Sequence, residues 1–151
     1  MNHLALVVAV VQNAETKRKD EQIQILIAER VREKAGHTML ELPSVLAEDD
    51  EKMEDAAARA LLMTGFGAEK LIYLNEGAIQ PHSSDQIASF FLAVNVHKGE
   101  SLPPFICHQV PIIHIGPWVF QKGLMVAPTV WAGIYLRISF LLSNPQHGSI
   151  Q

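Results

Sequence analysis

The chain has 151 residues, a mass of 16.7 kDa, 48% hydrophobic residues and a net charge of −4. This composition predicts one globular domain over residues 1–151 and excludes disordered, collagenous and disulfide-stapled classes. Because no basic excess is present for phosphate-backbone contacts, we expect no general nucleic-acid binding. The single cysteine, Cys107, excludes an internal disulfide and a cysteine-cluster metal site, and it suits a reducing compartment such as the cytoplasm.

Strands alternate with helices along the chain. Residues 4–11 form a nearly continuous β-branched run, which predicts a buried strand rather than a signal peptide, since a charged leader region is missing. Further strands are predicted over residues 22–31, 38–42, 70–78, 87–96 and 105–110. Apolar residues at three- and four-residue spacing predict a helix over residues 48–63, and Gly65 follows it at a position typical of helix ends.

Two further helices are predicted in the last third of the chain. Pro117 suits the first turn of a short helix that ends near Lys122, and Pro128 suits the first turn of the final helix. One face of the final helix carries Trp131, Ile134, Tyr135 and Ile138. Residues 124–142 are interrupted by Pro128 and Arg137 and are short for the ~20 apolar residues that cross a bilayer, so we predict no membrane span. We expect this helix to be buried and to be a candidate for packing on a partner subunit. Together the elements predict an α/β fold, a mixed sheet with helices on both sides.

The segment from Arg32 to Phe66 carries the most specific pattern. It contains Glu41-Leu42-Pro43, an acidic run over residues 48–51, and then EDAAARALLMTGF. This segment resembles the Nudix box, G-x5-E-x7-R-E-U-x-E-E-x-G-U with U bulky and apolar. Its surroundings resemble the ADP-ribose pyrophosphatase branch of the Nudix hydrolases, in which an Arg precedes the box and a strand ends like E-L-P-A-G. Arg32 and Glu41 occupy those places here.

The resemblance continues downstream and covers most of the chain in the right order. Residues 80–87 (QPHSSDQI) are similar to the branch's S-P-G-x-S-D-E-x segment, and residues 130–136 (VWAGIYL) are similar to part of its C-terminal helices. The resemblance implies a Nudix α/β/α sandwich, a nucleoside diphosphate linked to another moiety as the substrate, and a homodimer. It implies ligand contacts for four residues: Arg32, Glu41, His82 and Asp85. An ordinary strand-end arginine and a solvated loop histidine are the alternatives for the first and third.

The chemistry of the family depends on the glutamates of R-E-U-x-E-E. Carboxylates at i, i+3 and i+4 share one helix face and can hold Mg²⁺ through oxygen ligands. The metal then neutralises the diphosphate and activates water for attack on it. Mg²⁺ is therefore the cofactor that the resemblance implies, provided that the carboxylates are present.

Two registers of the box fit this chain. Anchoring on Glu41-Leu42-Pro43 keeps Glu51 and Arg59 at the family's Glu and Arg, with one position deleted. This register places Ala60 and Met63 at glutamate positions. We prefer it because Glu51 and Arg59 can then form an ion pair that braces the loop against the helix.

The alternative register anchors on Gly65 and needs no deletion. It places Arg59 at the first catalytic glutamate and Leu62-Met63 at the glutamate pair. In neither register does a carboxylate remain at the three acidic positions. Downstream, Gln86 stands where the family has a glutamate. The fold signature is retained, and the metal ligands are lost.

Three functional hypotheses follow. The first is an enzyme with relocated metal ligands, drawn from Asp50, Glu51 and Glu54, for which a solvated acidic face at a helix start is the alternative. The second is a catalytically silent module that binds a nucleotide or nucleotide sugar. The third is a structural or regulatory dimer subunit. We rank the second and third above the first. The seven histidines lack the spacing of a zinc site.

Overall fold

A computed structural model of the chain describes residues 3–34, 36–78 and 85–146. The strands are β1 (His3–Gln12), β2 (Ile23–Arg32), β3 (His37–Glu41), β4 (Ser44–Leu46), β5 (Phe66–Ala78), β6 (Ile87–Lys98), β7 (Ile106–Pro111) and β8 (Met125–Val126). The helices are α1 (Met53–Leu62), α2 (Ile115–Lys122) and α3 (Pro128–Ser143), with short 3-10 turns at Lys19–Glu21 and Ile112–His114.

The described strands form one mixed sheet in the order β5-β6-β1-β2-β3-β8. β1 pairs in parallel with β6, from His3 with Ile87 to Ala9 with Ala93. The other edge of β1 is shared, because its first residues pair with β4 and its last residues pair with β2. β2 pairs antiparallel with β3 and also pairs antiparallel with β7. Strand β1, predicted as a buried run, therefore lies in the middle of the sheet.

Helices cover both faces of the sheet, as predicted. On one face α1 packs its alanines against β1, and the core there includes Leu26 and Phe91. On the other face α2 and α3 cover a second core that includes Ile27 and Leu92. Because successive side chains along a strand point to opposite faces of the sheet, the same strands contribute residues to both cores. The fold is an α/β sandwich with a mixed sheet.

The N-terminal end of α1 differs from the prediction. We expected the helix to begin at residue 48, and it begins at Met53. Asp50 has φ 64°, a left-handed backbone conformation that a helix cannot contain, and Lys52 is the extended N-cap. Asp50 therefore lies in the loop before α1, and this candidate relocated ligand does not share a helix face with Glu54.

The C-terminal third also differs from the prediction. α2 begins at Ile115, so Pro117 is its third residue rather than its first, whereas Pro128 does begin α3. The two short strands β4 and β8 were not predicted, because strands of three and two residues show no period. The expected burial of the α3 face is wrong for Trp131, Tyr135 and Ile138, which are exposed. The buried face of α3 carries Val130, Gly133 and Arg137. Within the described ranges, no helix combines the length and apolar character that crossing a membrane requires.

Candidate functional site

Two arginines and a glutamate meet at the end of the β2–β3 hairpin, on the face covered by α1. Arg32 donates from Nε to Glu41 Oε2 at 2.6 Å, and a second contact from Nη2 to Oε1 makes the pair bidentate. Glu41 is buried and Arg32 is partly exposed. The hydrogen bonds to Glu41 raise the pKa of Arg32. The structure therefore brings together the two predicted ligand contacts and engages them with each other.

Arg30 extends this cluster, and the sequence analysis missed it. Its guanidinium carbon lies 4.6 Å from the centroid of the Phe105 ring. Burial lowers the pKa of Arg30, and the charge of Arg32 lowers it further, but an arginine remains a cation at neutral pH. The available signal was the strand period: Arg30 is two residues before Arg32, and the two therefore share a face of β2. Phe105 gave no local signal, because only the pairing of β7 with β2 brings it there.

A cavity of about 410 Å³ opens beside this cluster, lined by Arg30, Thr38, Phe105 and their neighbours. Its lining includes one cation, Arg30, one aromatic ring, Phe105, and one acidic residue, Glu29. The Glu29 carboxylate is engaged by His108 at 2.9 Å and Lys122 at 3.5 Å, whereas the charge of Arg32 lies close enough to Arg30 to depress the pKa of Arg30. Arginine binds phosphate and stacks on aromatic planes. The chemistry of this cavity suits an anionic ligand that carries a planar group.

The loop of residues 48–51 and α1 lie next to this cluster along β4. Arg30 Nη1 lies 3.4 Å from the Ser44 carbonyl oxygen at the start of β4. At the end of β4, Arg59 Nη2 donates to the Leu46 carbonyl oxygen at 3.0 Å. The three-residue strand thus connects the arginine cluster with the start of the loop that precedes α1.

Glu51 and Arg59 form the predicted ion pair. Arg59 donates from Nε to Oε2 at 3.1 Å and from Nη2 to Oε1 at 2.8 Å. Glu51 also accepts the Glu48 backbone N–H at 2.9 Å. The Arg59 hydrogen bonds, followed by the Glu48 N–H, lower the pKa of Glu51. This geometry holds the loop of residues 48–51 against α1 and is the structural role expected in the preferred register.

The helix positions that the preferred register assigns to catalytic glutamates are apolar. Ala60 is 1% exposed and belongs to the core beneath α1. Met63 is the half-buried C-cap residue. Neither can coordinate a hard divalent cation, which takes oxygen ligands. Gly65, two residues after this C-cap, has φ 85° and lies in the turn that leads from α1 into β5.

The side chains that the structure describes do not form a binding site for a divalent metal. In the ranges 3–34, 36–78 and 85–146, no three His, Cys, Asp or Glu side chains are grouped to hold an ion. Of the relocated ligands considered, Glu51 is engaged with Arg59, whereas Asp50 and Glu54 are exposed. Cys107 is also unsuited to nucleophilic chemistry, because burial raises the pKa of its thiol to about 11.

A second cavity, of about 610 Å³, lies at the acidic loop and is lined by His3, Ala47, Met53 and the run from Glu48 to Glu51. His3 pairs with Ile87 in the sheet, so the chain just before β6 reaches the same edge. Asp85 is exposed there and Gln86 is half-buried. His82, the remaining predicted ligand contact, lies outside the described residues. Four carboxylates around this cavity disfavour an anionic ligand that brings no cation.

Comparison with known proteins identifies the fold. No protein-family model matches the chain, and no curated protein matches it in sequence. Among solved structures it is similar to one titled "Crystal structure of ADP compounds hydrolase", with a TM-score of 0.73 and 16% sequence identity. The similarity covers 93% of this chain and 73% of that chain.

The fold is of the Nudix type. The similarity spans nearly the whole chain, so the mixed sheet, α1 and the two helices on the opposite face belong to one shared architecture. The resemblance to the Nudix hydrolases implies a divalent metal bound by the glutamates of the box. At the positions that the preferred register assigns to its glutamates, this chain carries Ala60 and Met63, neither of which is a carboxylate.

The Glu51–Arg59 pair predicts a pH dependence of stability. The pKa of Glu51 is lower in the folded chain than the ~4.3 of an unperturbed glutamate. Its stabilising contribution is therefore complete above the unfolded pKa and is lost as the pH falls through the folded pKa. We expect Glu51→Gln to lower the free energy of unfolding at pH 7 and to have a shrinking effect below pH ~4. Urea denaturation across this pH range measures it.

Glu54→Gln is the matched control for this measurement. Glu54 lies in the first turn of α1, is exposed, and forms no ion pair with another described residue. The same chemical change there should leave the pH profile close to that of the wild type. Equal profiles for the two variants would contradict a stabilising role for the Glu51–Arg59 pair.

Proposed function

We propose that this chain is a Nudix-fold module that binds a nucleoside diphosphate derivative without cleaving it. One observation carries the proposal: the loop and helix of the box remain braced by Glu51 and Arg59, while Ala60 is buried in the core where a catalytic carboxylate is needed. The scaffold that positions a ligand is retained, and the groups that would activate water are absent. Without them, the metal-assisted route of the family has no support in this chain.

The arginine cluster supports the ligand class. A nucleoside diphosphate derivative carries phosphates and a planar base, and the cavity beside Arg30 and Phe105 offers a cation and an aromatic ring. The fold match to an ADP compounds hydrolase supports an ADP-containing ligand. The acid-lined cavity favours the opposite charge, so we place the ligand's phosphates on the side of Arg30 and Arg32. The single cysteine supports a location in the cytoplasm.

Calorimetric titration with ADP-ribose in the absence of metal tests the binding. We expect Arg30→Gln to raise the Kd about tenfold or more, because a hydrogen bond to a charged group contributes ~1.5–3 kcal/mol. Arg18→Gln is the matched control, since Arg18 is an exposed arginine paired with Asp20 at the opposite end of β2. Its Kd should equal that of the wild type. Absence of binding by the wild-type chain would overturn the nucleotide assignment.

A turnover assay tests the loss of catalysis. ADP-ribose, NADH, nucleotide sugars and dinucleotide polyphosphates are incubated with Mg²⁺ or Mn²⁺ and followed for phosphate-bond cleavage. We expect no cleavage above that of the Glu51→Gln/Glu54→Gln double variant. Cleavage that this variant loses would establish an enzyme with relocated ligands. A chain that neither binds nor cleaves any of these compounds, but forms a stable dimer, would be a structural subunit.

A further inference from the structure

Arg137 is a buried cation on the side of α3 that packs on the sheet. The residue is 7% exposed. Its Nε is the one side-chain nitrogen or oxygen of the described residues that is both sealed from solvent and without a hydrogen-bond partner. The two Nη atoms also have no partner among the described residues, so they retain the small exposure of the side chain. An arginine remains a cation at neutral pH, and Arg137 therefore brings an uncompensated charge beneath α3.

The surroundings of Arg137 are apolar. Gly133 lies one turn earlier on the same side of α3, where a Cβ would come within 2.5 Å of Leu42 and 3.7 Å of Phe90. Phe140 of α3 packs against the core on this face. A charge taken out of water costs free energy unless a counterion or hydrogen bonds offset that cost. Burial accordingly lowers the pKa of Arg137, and no charge among the described residues opposes this effect.

The carboxylates of the chain do not supply a counterion for Arg137. All sixteen Asp and Glu side chains lie within the described residues, and none of them forms an ion pair with it. All sixteen precede residue 101, so the segment 101–151, which forms β7, α2, β8 and α3, has no acidic side chain. Glu29, which contacts this segment, is already engaged by His108 and Lys122. An anion from solution therefore meets no carboxylate of this segment.

We propose that Arg137 anchors a second binding site, separate from the arginine cluster, which takes a phosphate group. A guanidinium presents its N–H donors in a planar fork that matches two oxygens of a phosphate. The exposed Nη atoms are the end of the fork that such an anion can reach. Its negative charge offsets the burial of the cation, and its oxygens accept the hydrogen bonds that no described residue accepts.

This site does not depend on the proposed function. Arg30 and Arg32 lie on the face of the sheet that α1 covers, whereas Arg137 lies beneath α3 on the other face. The sheet separates the two positions, so one ligand does not contact both. Each site can therefore be tested while the other is disabled.

Thermal unfolding at increasing inorganic phosphate, with sodium chloride holding the ionic strength constant, tests this inference. Every variant carries Arg30→Gln, so that phosphate bound at the arginine cluster contributes little. In this background the Tm should rise by about 3–6 °C for each tenfold increase of phosphate above its Kd. The additional change Arg137→Met should abolish this rise, because methionine offers no donor. Without phosphate, Arg137→Met should itself raise the Tm, since it removes a buried charge that has no partner.

Arg18→Met is the matched control in the same background. It replaces an exposed arginine that is paired with Asp20, so the rise with phosphate should remain. This control also measures the general stabilisation that phosphate gives because it is excluded from protein surfaces. Arg137→Lys keeps the charge but loses the fork and should raise the Kd for phosphate, which keeps the test decisive if Arg137→Met does not fold.

Two results would overturn the inference. One is a Tm that phosphate raises equally with arginine, lysine or methionine at position 137. The other is a Tm that phosphate does not raise at all in the Arg30→Gln background. Loss of ADP-ribose binding by the wild type would overturn the proposed function and would leave this site unaffected.

Titration with AMP distinguishes two sources of the phosphate group. Tighter binding of AMP than of inorganic phosphate, lost in Arg137→Met, would support the phosphate of a nucleotide as the ligand. Weaker binding of AMP would support free phosphate, because the opening at the Nη atoms would then exclude the nucleoside. Both results support a phosphate site at Arg137.

Discussion

Ala60→Glu, which places a carboxylate where the preferred register has the first catalytic glutamate, should destabilise the fold strongly. Ala60 is 1% exposed within the core between α1 and β1, and its described neighbours there are apolar. A buried carboxylate avoids the cost of desolvation by taking up a proton. Protonating a glutamate of ordinary pKa at pH 7 costs about 4 kcal/mol, to which the extra volume adds about 1–3 kcal/mol. Denaturant unfolding at pH 7 measures the loss.

Ala60→Gln separates the charge from the volume. It adds nearly the same atoms without an ionisable group, so it should show only the packing cost. Because burial raises the pKa of the introduced carboxyl group in the folded state, the difference between the two variants should shrink by about 1.4 kcal/mol per pH unit as the pH falls toward ~4.3. If both variants are equally stable at pH 7, the new carboxylate reaches water or a cation. Position 60 would then be accessible to solvent and not sealed in the core.

Gly65→Ala should destabilise the turn that ends α1. Gly65 has φ 85°, and a Cβ placed on it would lie 2.9 Å from the Ser101 carbonyl oxygen. A left-handed conformation costs an L-residue ~1–2 kcal/mol, and the contact with backbone adds an overpacking cost, so we expect a loss of about 2–4 kcal/mol. The contact cannot relax by a side-chain rotation, since the Ser101 atom belongs to the backbone. Thermal and urea unfolding measure the effect.

Gly123→Ala is the control for Gly65→Ala. Gly123 has φ 66°, but a Cβ there would meet no atom within 4 Å. It should show the conformational cost alone, about 1–2 kcal/mol. A loss at Gly65 no greater than that at Gly123 would mean that the segment around Ser101 moves away without cost, and that it does not fix the end of α1.

The fold was predictable because both cores are encoded in local periodicity. The β-branched run of β1, the alternation in β2 and the helical spacing of Ala56, Ala57 and Ala60 each bury one face or both faces of an element. The ion pair between Glu51 and Arg59 was predictable for a different reason, since the preferred register of the box specifies both positions. The start of α1 was not, because acidic residues suit a helix start and a loop equally well.

The sequence alone determined that positions 60, 63 and 86, which the resemblance assigns to glutamates, carry no carboxylate, since residue identity does not depend on coordinates. Only the tertiary structure decided what replaces them. The pairing of β7 with β2 brings Phe105 to Arg30, and the packing of α3 leaves Trp131 and Tyr135 outward. Periodicity shows that a helix has an apolar face, but which face meets the sheet depends on contacts between residues distant in sequence. Most side chains of α3 are apolar, so hydrophobicity alone does not select the face of α3 that packs on the sheet. Gly133 selects it, because Leu42 and Val8 leave no room for a Cβ at that position.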